Sequence, residues 1–265
     1  MPVFDSAGLR IHYEVSGPDD GAPVVLLHGF ASNGRVNWVS TGWTEWLAEE
    51  GFRVIVPDFP GHGQSDKPHD GARYPAPMMA EDVRRLLDHL NIERAHVMGY
   101  SMGARVAAFL ALKHPERVCA LVLSGMAGNL VAGVGGAEEI ARAMLAEEAG
   151  ADVSVPAWAW GFRQFAERVG NDLRALAACI TASRTPIEPA ALERLDMPVL
   201  VVVGSEDGIA GDPALLMPHL PADAELVVLQ GRDHMNAVGD RQHRQAVADF
   251  LKRHAGRCDG NGMQK

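Results

Sequence analysis

The chain has 265 residues, with 24 Lys and Arg against 34 Asp and Glu and a formal net charge of −10 at pH 7. That length fits one large α/β domain or two small ones, and the acidic balance disfavours a phosphate-backbone surface, so nucleic acid is excluded as an expected partner. Met1-Pro2-Val3-Phe4-Asp5 carries no basic or apolar targeting pattern, and no apolar run approaches the roughly 20 residues of a membrane span; a cytoplasmic protein without a membrane partner is expected. Cys119 lies in an apolar run, Cys179 in a helical pattern and Cys258 in a polar tail, with no C-x-x-C pair. Disulfides are therefore not expected.

Leu9 to Val15 alternates apolar and polar residues, the period of a half-buried strand at an antiparallel edge, and Gly17 to Gly21 has turn composition. Pro23 to Leu27 is continuously apolar, as in a strand covered on both faces of a parallel sheet, and ends in His28-Gly29-Phe30. A helical segment from Trp43 to Glu50 leads to a second buried strand, Arg53 to Val56, which closes in Asp58-Phe59-Pro60-Gly61-His62-Gly63-Gln64-Ser65. The rhythm is βαβ. Met78 to Leu90 is amphipathic, with Val83, Leu86, Leu87 and Leu90 on one face.

Ala95 to Met98 then enters Gly99-Tyr100-Ser101-Met102-Gly103, which reads as a G-x-S-x-G nucleophile elbow. The turn from strand to helix is so tight that residues two before and two after the serine must be glycine. The serine oxygen is left exposed beside unpaired backbone N–H groups at the start of the helix. That helix is apolar nearly all round, and a strand follows at Arg117 to Leu123. From about Gly125 to Pro189 no strand is expected; helical patterns at Ala137 to Ala149, Pro156 to Val169 and Asp172 to Ser183 mark an insertion. The sheet resumes at Pro198 to Val203, turns through Gly204-Ser205-Glu206-Asp207-Gly208, and returns at Ala224 to Leu229. A loop from Gln230 to Asn236 precedes a final helix, Arg241 to about His254, and the polar tail from Ala255 is expected to be mobile.

A neutral serine hydroxyl needs a base to take its proton, and the base needs a third group to fix its tautomer. In parallel sheets reacting groups gather after the carboxyl ends of strands. Ser101, Asp207 and His234 all follow strands, in the chain order Ser, Asp, His. Glu206 is a rival carboxylate, whereas Asp212 reads as the cap of a helix beginning at Pro213. His243 falls in the last helical pattern, on a face expected to be solvated. The Met102 N–H is the evident donor to an oxyanion. His28, His62 and Asp58 lack metal-ligand spacing, so neither metal nor cofactor is expected. Trp158, Trp160, Phe162 and Phe165 read equally as a pocket roof or as packing, and Met235, beside the expected base, joins the pocket candidates.

Taken together, these motifs resemble the α/β-hydrolase fold superfamily over nearly the whole chain. The resemblance implies a mostly parallel central sheet of about eight strands flanked by helices, with a core at 1–124 and 190–255, a helical lid at 125–189 and a flexible tail at 256–265. His28-Gly29-Phe30 resembles the family's oxyanion loop, which implies the Phe30 N–H as a second donor beside Met102. Asp58 to Ser65 resembles the family's D-x-x-G-x-G-x-S turn, a support for the floor of the site. Haloalkane dehalogenases and most epoxide hydrolases of this fold use an aspartate where Ser101 stands, and no tyrosine lies within 125–189. Carbon–carbon hydrolases resemble the chain in size, serine and lid, but their usual Asn before the serine and Trp after the histidine are here Tyr100 and Met235. The expected activity is hydrolysis of a small or medium carboxylic ester, a small-molecule partner, through an acyl-enzyme on Ser101. Carbon–carbon hydrolysis, perhydrolysis and ligand binding with little turnover are the alternatives.

Overall fold

Apolar residues on successive strand positions bury both faces of one sheet, and this sets the layering of the molecule. The structure, a computed structural model, describes residues 2–150 and 152–258. Its strands are β1 (Val3–Ser6), β2 (Leu9–Ser16), β3 (Pro23–Leu27), β4 (Arg53–Pro57), β5 (Ala95–Tyr100), β6 (Val118–Ser124), β7 (Val199–Gly204) and β8 (Glu225–Leu229). They form a single sheet in the order β1-β2-β4-β3-β5-β6-β7-β8. The β1–β2 and β2–β4 pairs are antiparallel and all other pairs are parallel. β1 is not apparent in the sequence: it is four residues long and joins β2 through Ala7-Gly8, both at positive φ (51° and 84°), a two-residue hairpin turn without the usual Asn-Gly signature.

The helices are α1 (Trp43–Glu49), α2 (Ala76–His89), α3 (Met102–Lys113), α4 (Asn129–Ala132), α5 (Ala137–Leu145), α6 (Ala157–Val169), α7 (Leu173–Ala182), α8 (Pro189–Leu192) and α9 (Arg241–Arg253). Val25 and Leu27 of β3 face α2 and α3, packing with Met79, Leu86, Ala104 and Leu110. Val24 and Leu26 face the other way, into a core with Trp43 and Leu47 of α1 and Phe250 and Leu251 of α9. Full burial of all four strand residues is the reason the run is continuously apolar.

Between β6 and β7 there is no strand among the described residues. α5, α6 and α7 gather a separate cluster of Ile140, Met144, Ala159, Ala166, Leu176 and Ile180, which packs on Phe30 and Ala31 of the loop after β3. Arg105 of α3 ties this helical stretch to the sheet domain. Its side chain is 2% exposed and donates to the carbonyls of Asn129 (2.9 Å), Leu130 (3.2 Å) and Thr185 (2.7 Å). Burial pulls its pKa down to about 10, so it remains charged at neutral pH. Arg105→Met leaves three carbonyls without their charged donor; a loss of roughly 3 kcal/mol is expected, read as a fall of about 6–12 °C in Tm, and an unchanged melting curve would refute this tie.

Two expectations are corrected. Cys119 of β6 and Cys258, after α9, are joined in a disulfide with Cα atoms 5.5 Å apart, although 139 residues separate them in sequence. Packing of α9 across the sheet brings the tail under β6, a proximity that cysteine spacing does not encode; Cys179 is free and buried. His243 is not on a solvated face but 1% exposed. Its Nδ1 bonds the Ala237 carbonyl (3.0 Å) and its Nε2 the Ser124 hydroxyl (2.9 Å). Ala255–Arg257 form a short helical turn, and the rest of the predicted tail lies, from residue 259, outside the described residues.

Candidate active site

β5 ends at Tyr100, α3 begins at Met102, and Ser101 alone makes the bend, at φ 55° and ψ −114°. For a residue with a side chain this backbone conformation costs about 1–3 kcal/mol. The flanking glycines make it sterically possible. A Cβ on Gly99 would overlap the Gly103 carbonyl, and one on Gly103 would overlap the Leu27 carbonyl. The elbow is therefore wedged between its own helix and the end of β3, with Oγ held at the carboxyl edge of the sheet.

His234 Nε2 lies 3.0 Å from Ser101 Oγ. On the other side of the ring, Nδ1 is 2.8 Å from Asp207 Oδ2 and 3.0 Å from Oδ1. The Asp207 side chain is fully enclosed, and Oδ1 also accepts the N–H groups of Ile209 and Ala210 at 2.9 Å each. Three donors on an enclosed carboxylate fix it in direction, and a carboxylate facing Nδ1 places the imidazole proton there, leaving Nε2 as the acceptor toward the serine. Sequence reasoning placed these three residues at strand ends, and the fold brings them into contact in that order. Glu206 is exposed, and Asp212 caps the turn at Pro213 by accepting from Ala214 N–H (2.9 Å).

The loop bearing the histidine is held at both ends. Asp233 Oδ1 accepts from the N–H groups of Met235 and Asn236, and Asn236 Oδ1 accepts from Asp233 N–H, all at 2.8 Å. The Tyr100 hydroxyl donates to the His234 carbonyl at 2.6 Å, and burial raises the phenol's pKa, keeping its proton in place. Tyr100 thus fixes the His234 backbone from the residue adjoining Ser101.

Beside Ser101 runs the loop after β3: a Cβ on Gly29 would stand 3.6 Å from Ser101 Cβ. Neither Phe30 N–H nor Met102 N–H has a hydrogen-bond partner among the described residues. Unpaired backbone donors in the residue after Ser101 and in the adjacent loop are the kind a developing oxyanion requires. The loop is held from beneath. His28 Nδ1 donates to Gly29 O (2.8 Å) and Nε2 accepts Phe59 N–H (3.0 Å); His62 Nδ1 donates to Pro60 O (2.9 Å) and Nε2 accepts Ala31 N–H (3.2 Å). All four ring nitrogens are occupied in these bonds, leaving none free to ligate a metal. Burial lowers the pKa of His28, and burial together with neighbouring His28 lowers that of His62 to about 3. Asp58 gathers the next turn, accepting from Gly34 N–H and Gln64 N–H and pairing with His12 Nδ1 at 3.0 Å.

Asn171 escaped the sequence reading. Its Nδ2 donates to Ala31 O (2.7 Å) and its Oδ1 accepts Gly63 N–H (3.1 Å), so the helical stretch is fastened to the loops after both β3 and β4. An Asn-Asp pair before a helix signals a cap, and Asp172 is that cap, accepting from Arg174 and Ala175 N–H; nothing in the sequence distinguishes its neighbour. Of the pocket candidates, Phe162 approaches Phe30 with ring centroids 6.1 Å apart. Trp160 and Phe165 pack within the helical cluster. Trp158 and Met235 are 51% and 61% exposed, and the Trp158 ring lies over Gly136, so for Trp158 packing is the better description.

The profile of the alpha/beta hydrolase fold family matches residues 22–181. A putative 2-succinyl-6-hydroxy-2,4-cyclohexadiene-1-carboxylate synthase of Bacillus subtilis is 31% identical over 223 residues, 76% of this chain and 80% of its own. A 2-hydroxy-6-oxononadienedioate/2-hydroxy-6-oxononatrienedioate hydrolase of Burkholderia vietnamiensis is 40% identical over 130 residues, 46% of this chain and 42% of its own. Among solved structures, a thermophilic esterase from Thermogutta terrifontis superposes with a TM-score of 0.71 at 26% identity, over 95% of this chain and 97% of that one. No helix among the described residues is long and apolar enough to cross a membrane. The chain belongs to the α/β hydrolase fold family and is a hydrolase.

Proposed function

We propose that the protein is a serine hydrolase that cleaves a small or medium carboxylic ester through an acyl-enzyme on Ser101. The observation that carries this reading is the continuous contact from Ser101 Oγ through His234 to the enclosed Asp207 carboxylate. His234 Nε2 takes the serine proton as Oγ attacks the carbonyl carbon, and Asp207 steadies the imidazolium that forms. The carbonyl oxygen, now anionic, accepts from Phe30 and Met102 N–H; one such donor is typically worth about 3 kcal/mol of transition-state stabilisation. The imidazolium then hands its proton to the departing alkoxide. Water attacks the acyl carbon by the same route, which regenerates Ser101 and releases the acid.

The helices of 125–189 act in this reading as a lid, with Phe162 against Phe30 at its inner edge. Carbon–carbon hydrolysis is the second reading, favoured by the Burkholderia relative's activity and opposed by Tyr100 and Met235 flanking the serine and histidine. The deciding assay compares p-nitrophenyl acetate and butyrate with a vinylogous diketone on the purified protein. Turnover of the esters with none of the diketone is expected; the opposite pattern would replace the ester assignment with the second reading.

A further inference from the structure

At the end of the sheet remote from Ser101, a histidine and two cysteines meet with no role in the chemistry above. His96 is the second residue of β5, five positions before Ser101 and so roughly 16 Å away along an extended strand. The β5–β6 register shifts between Ala95↔Val118 and Val97↔Leu121, so that Cys119 and Ala120 together oppose His96. The bulge turns the Cys119 side chain to the same face as His96, toward α9, and the turn after α9 delivers Cys258 there. One ring nitrogen of His96 and the two Sγ atoms all lie within 4.8 Å of one another.

His96 is fully buried, yet neither of its ring nitrogens has a hydrogen-bond partner. Of the other buried histidines, His28, His62 and His243 bond through both ring nitrogens and His12 through Nδ1, so an imidazole with both nitrogens unpaired beside two sulfurs is an anomaly that needs a ligand. We propose that Cys119, Cys258 and His96 form a zinc site in the reduced protein, remote from the hydrolytic centre, that exchanges with the Cys119–Cys258 disulfide. Two thiolates and a neutral imidazole are a donor set suited to Zn2+. The two negative charges cancel the ion's, which suits a buried position. Cys258 is partly exposed, so a water can reach the fourth position. With Zn–S bonds of about 2.3 Å, tetrahedral geometry needs sulfurs about 3.8 Å apart, a separation that side-chain rotation at Cys258 supplies once the S–S bond is open.

The exchange balances. A dithiol reductant gives two electrons and two protons to the disulfide and closes to its own disulfide, leaving Cys119 and Cys258 as thiols. Zn2+ then replaces the two thiol protons. In reverse, a disulfide oxidant takes two electrons from the zinc-bound thiolates and, with two protons from water, leaves as two thiols, while the Cys119–Cys258 bond re-forms and Zn2+ is released.

The test uses the full chain, reduced with a water-soluble phosphine, desalted without oxygen and titrated with Co2+. One equivalent is expected to bind, with a thiolate-to-cobalt band in the near ultraviolet and intense visible bands of a tetrahedral ion, all bleached by Zn2+. The oxidised protein should show neither. His96→Gln should weaken binding at least tenfold; because His96 is buried, Cys258→Ser, in the tail turn, provides a variant without a core change and should weaken it by at least as much and reduce the near-ultraviolet band. A reduced protein that takes up no tetrahedral Co2+, or a Cys258→Ser protein that binds it as tightly as the parent, would overturn the proposal. None of these readouts depends on esterase activity.

Discussion

Ser101→Ala is expected to lower kcat/KM for p-nitrophenyl butyrate by about 10⁴-fold or more, which corresponds to about 5 kcal/mol of lost transition-state stabilisation. The residual rate would come from the Phe30 and Met102 donors and from binding, which the substitution leaves in place. Because the alanine inherits the same backbone turn (φ 55°), the substitution neither relieves nor adds backbone strain, and the melting temperature should hardly move. Removal of His234 should cost a similar factor, and the double variant little more than either alone, since the pair acts as one unit. A fluorophosphonate should label the parent at Ser101 and leave the variant unlabelled. Equal rates for parent and Ser101→Ala would remove the nucleophile assignment altogether.

How much of this was legible in the sequence depends on how local each cause is. The elbow was, because its glycines answer a steric demand set by residues four to five positions away and by the end of one neighbouring strand. β3, β5, β6 and β7 were legible for a related reason: burial on both faces removes polar residues from the run. Asp207 could be preferred to Glu206 by position, and the structure adds the reason, since only Asp207 points inward to His234. Asn171, His243 and the Cys119–Cys258 bond were not legible. Each owes its role to a partner more than 100 residues away, Ala31, Ser124 and the other cysteine respectively, and their local sequence is ordinary for a cap, a surface helix and a tail. The fold is written in periodicity; the fastenings that hold its loops to one another are written in tertiary proximity.

Those fastenings carry a cost in acid, and stability should fall steeply between pH 6.5 and 5.5. His28, His62 and His243 are neutral donors and acceptors in the folded chain, and burial, the largest cause in each case, holds their pKa values below the ordinary 6.5, to about 3 for His62 and about 4 for His243. A depressed folded value means that the unfolded chain binds protons first. The stability these groups contribute is therefore complete above pH 6.5 and declines as pH falls toward the folded values. By linkage His62 and His243 each lose about 1 kcal/mol between pH 6.5 and 5.5, or about 2 kcal/mol for the pair, and His28 acts in the same direction. Asp82, whose carboxyl burial pushes upward, acts in the opposite sense as it takes up its proton and offsets part of the loss. For a chain of this length about 2 kcal/mol corresponds to a fall of about 4–8 °C in Tm, measurable by scanning calorimetry in matched buffers. His28 and His62 hold the loop that carries Phe30 N–H, so this loss of stability bears directly on that loop. A melting temperature that stays level from pH 7.5 to 5.5 would show that these imidazoles are not held neutral by burial, and the support ascribed to them beneath the oxyanion loop would have to be withdrawn.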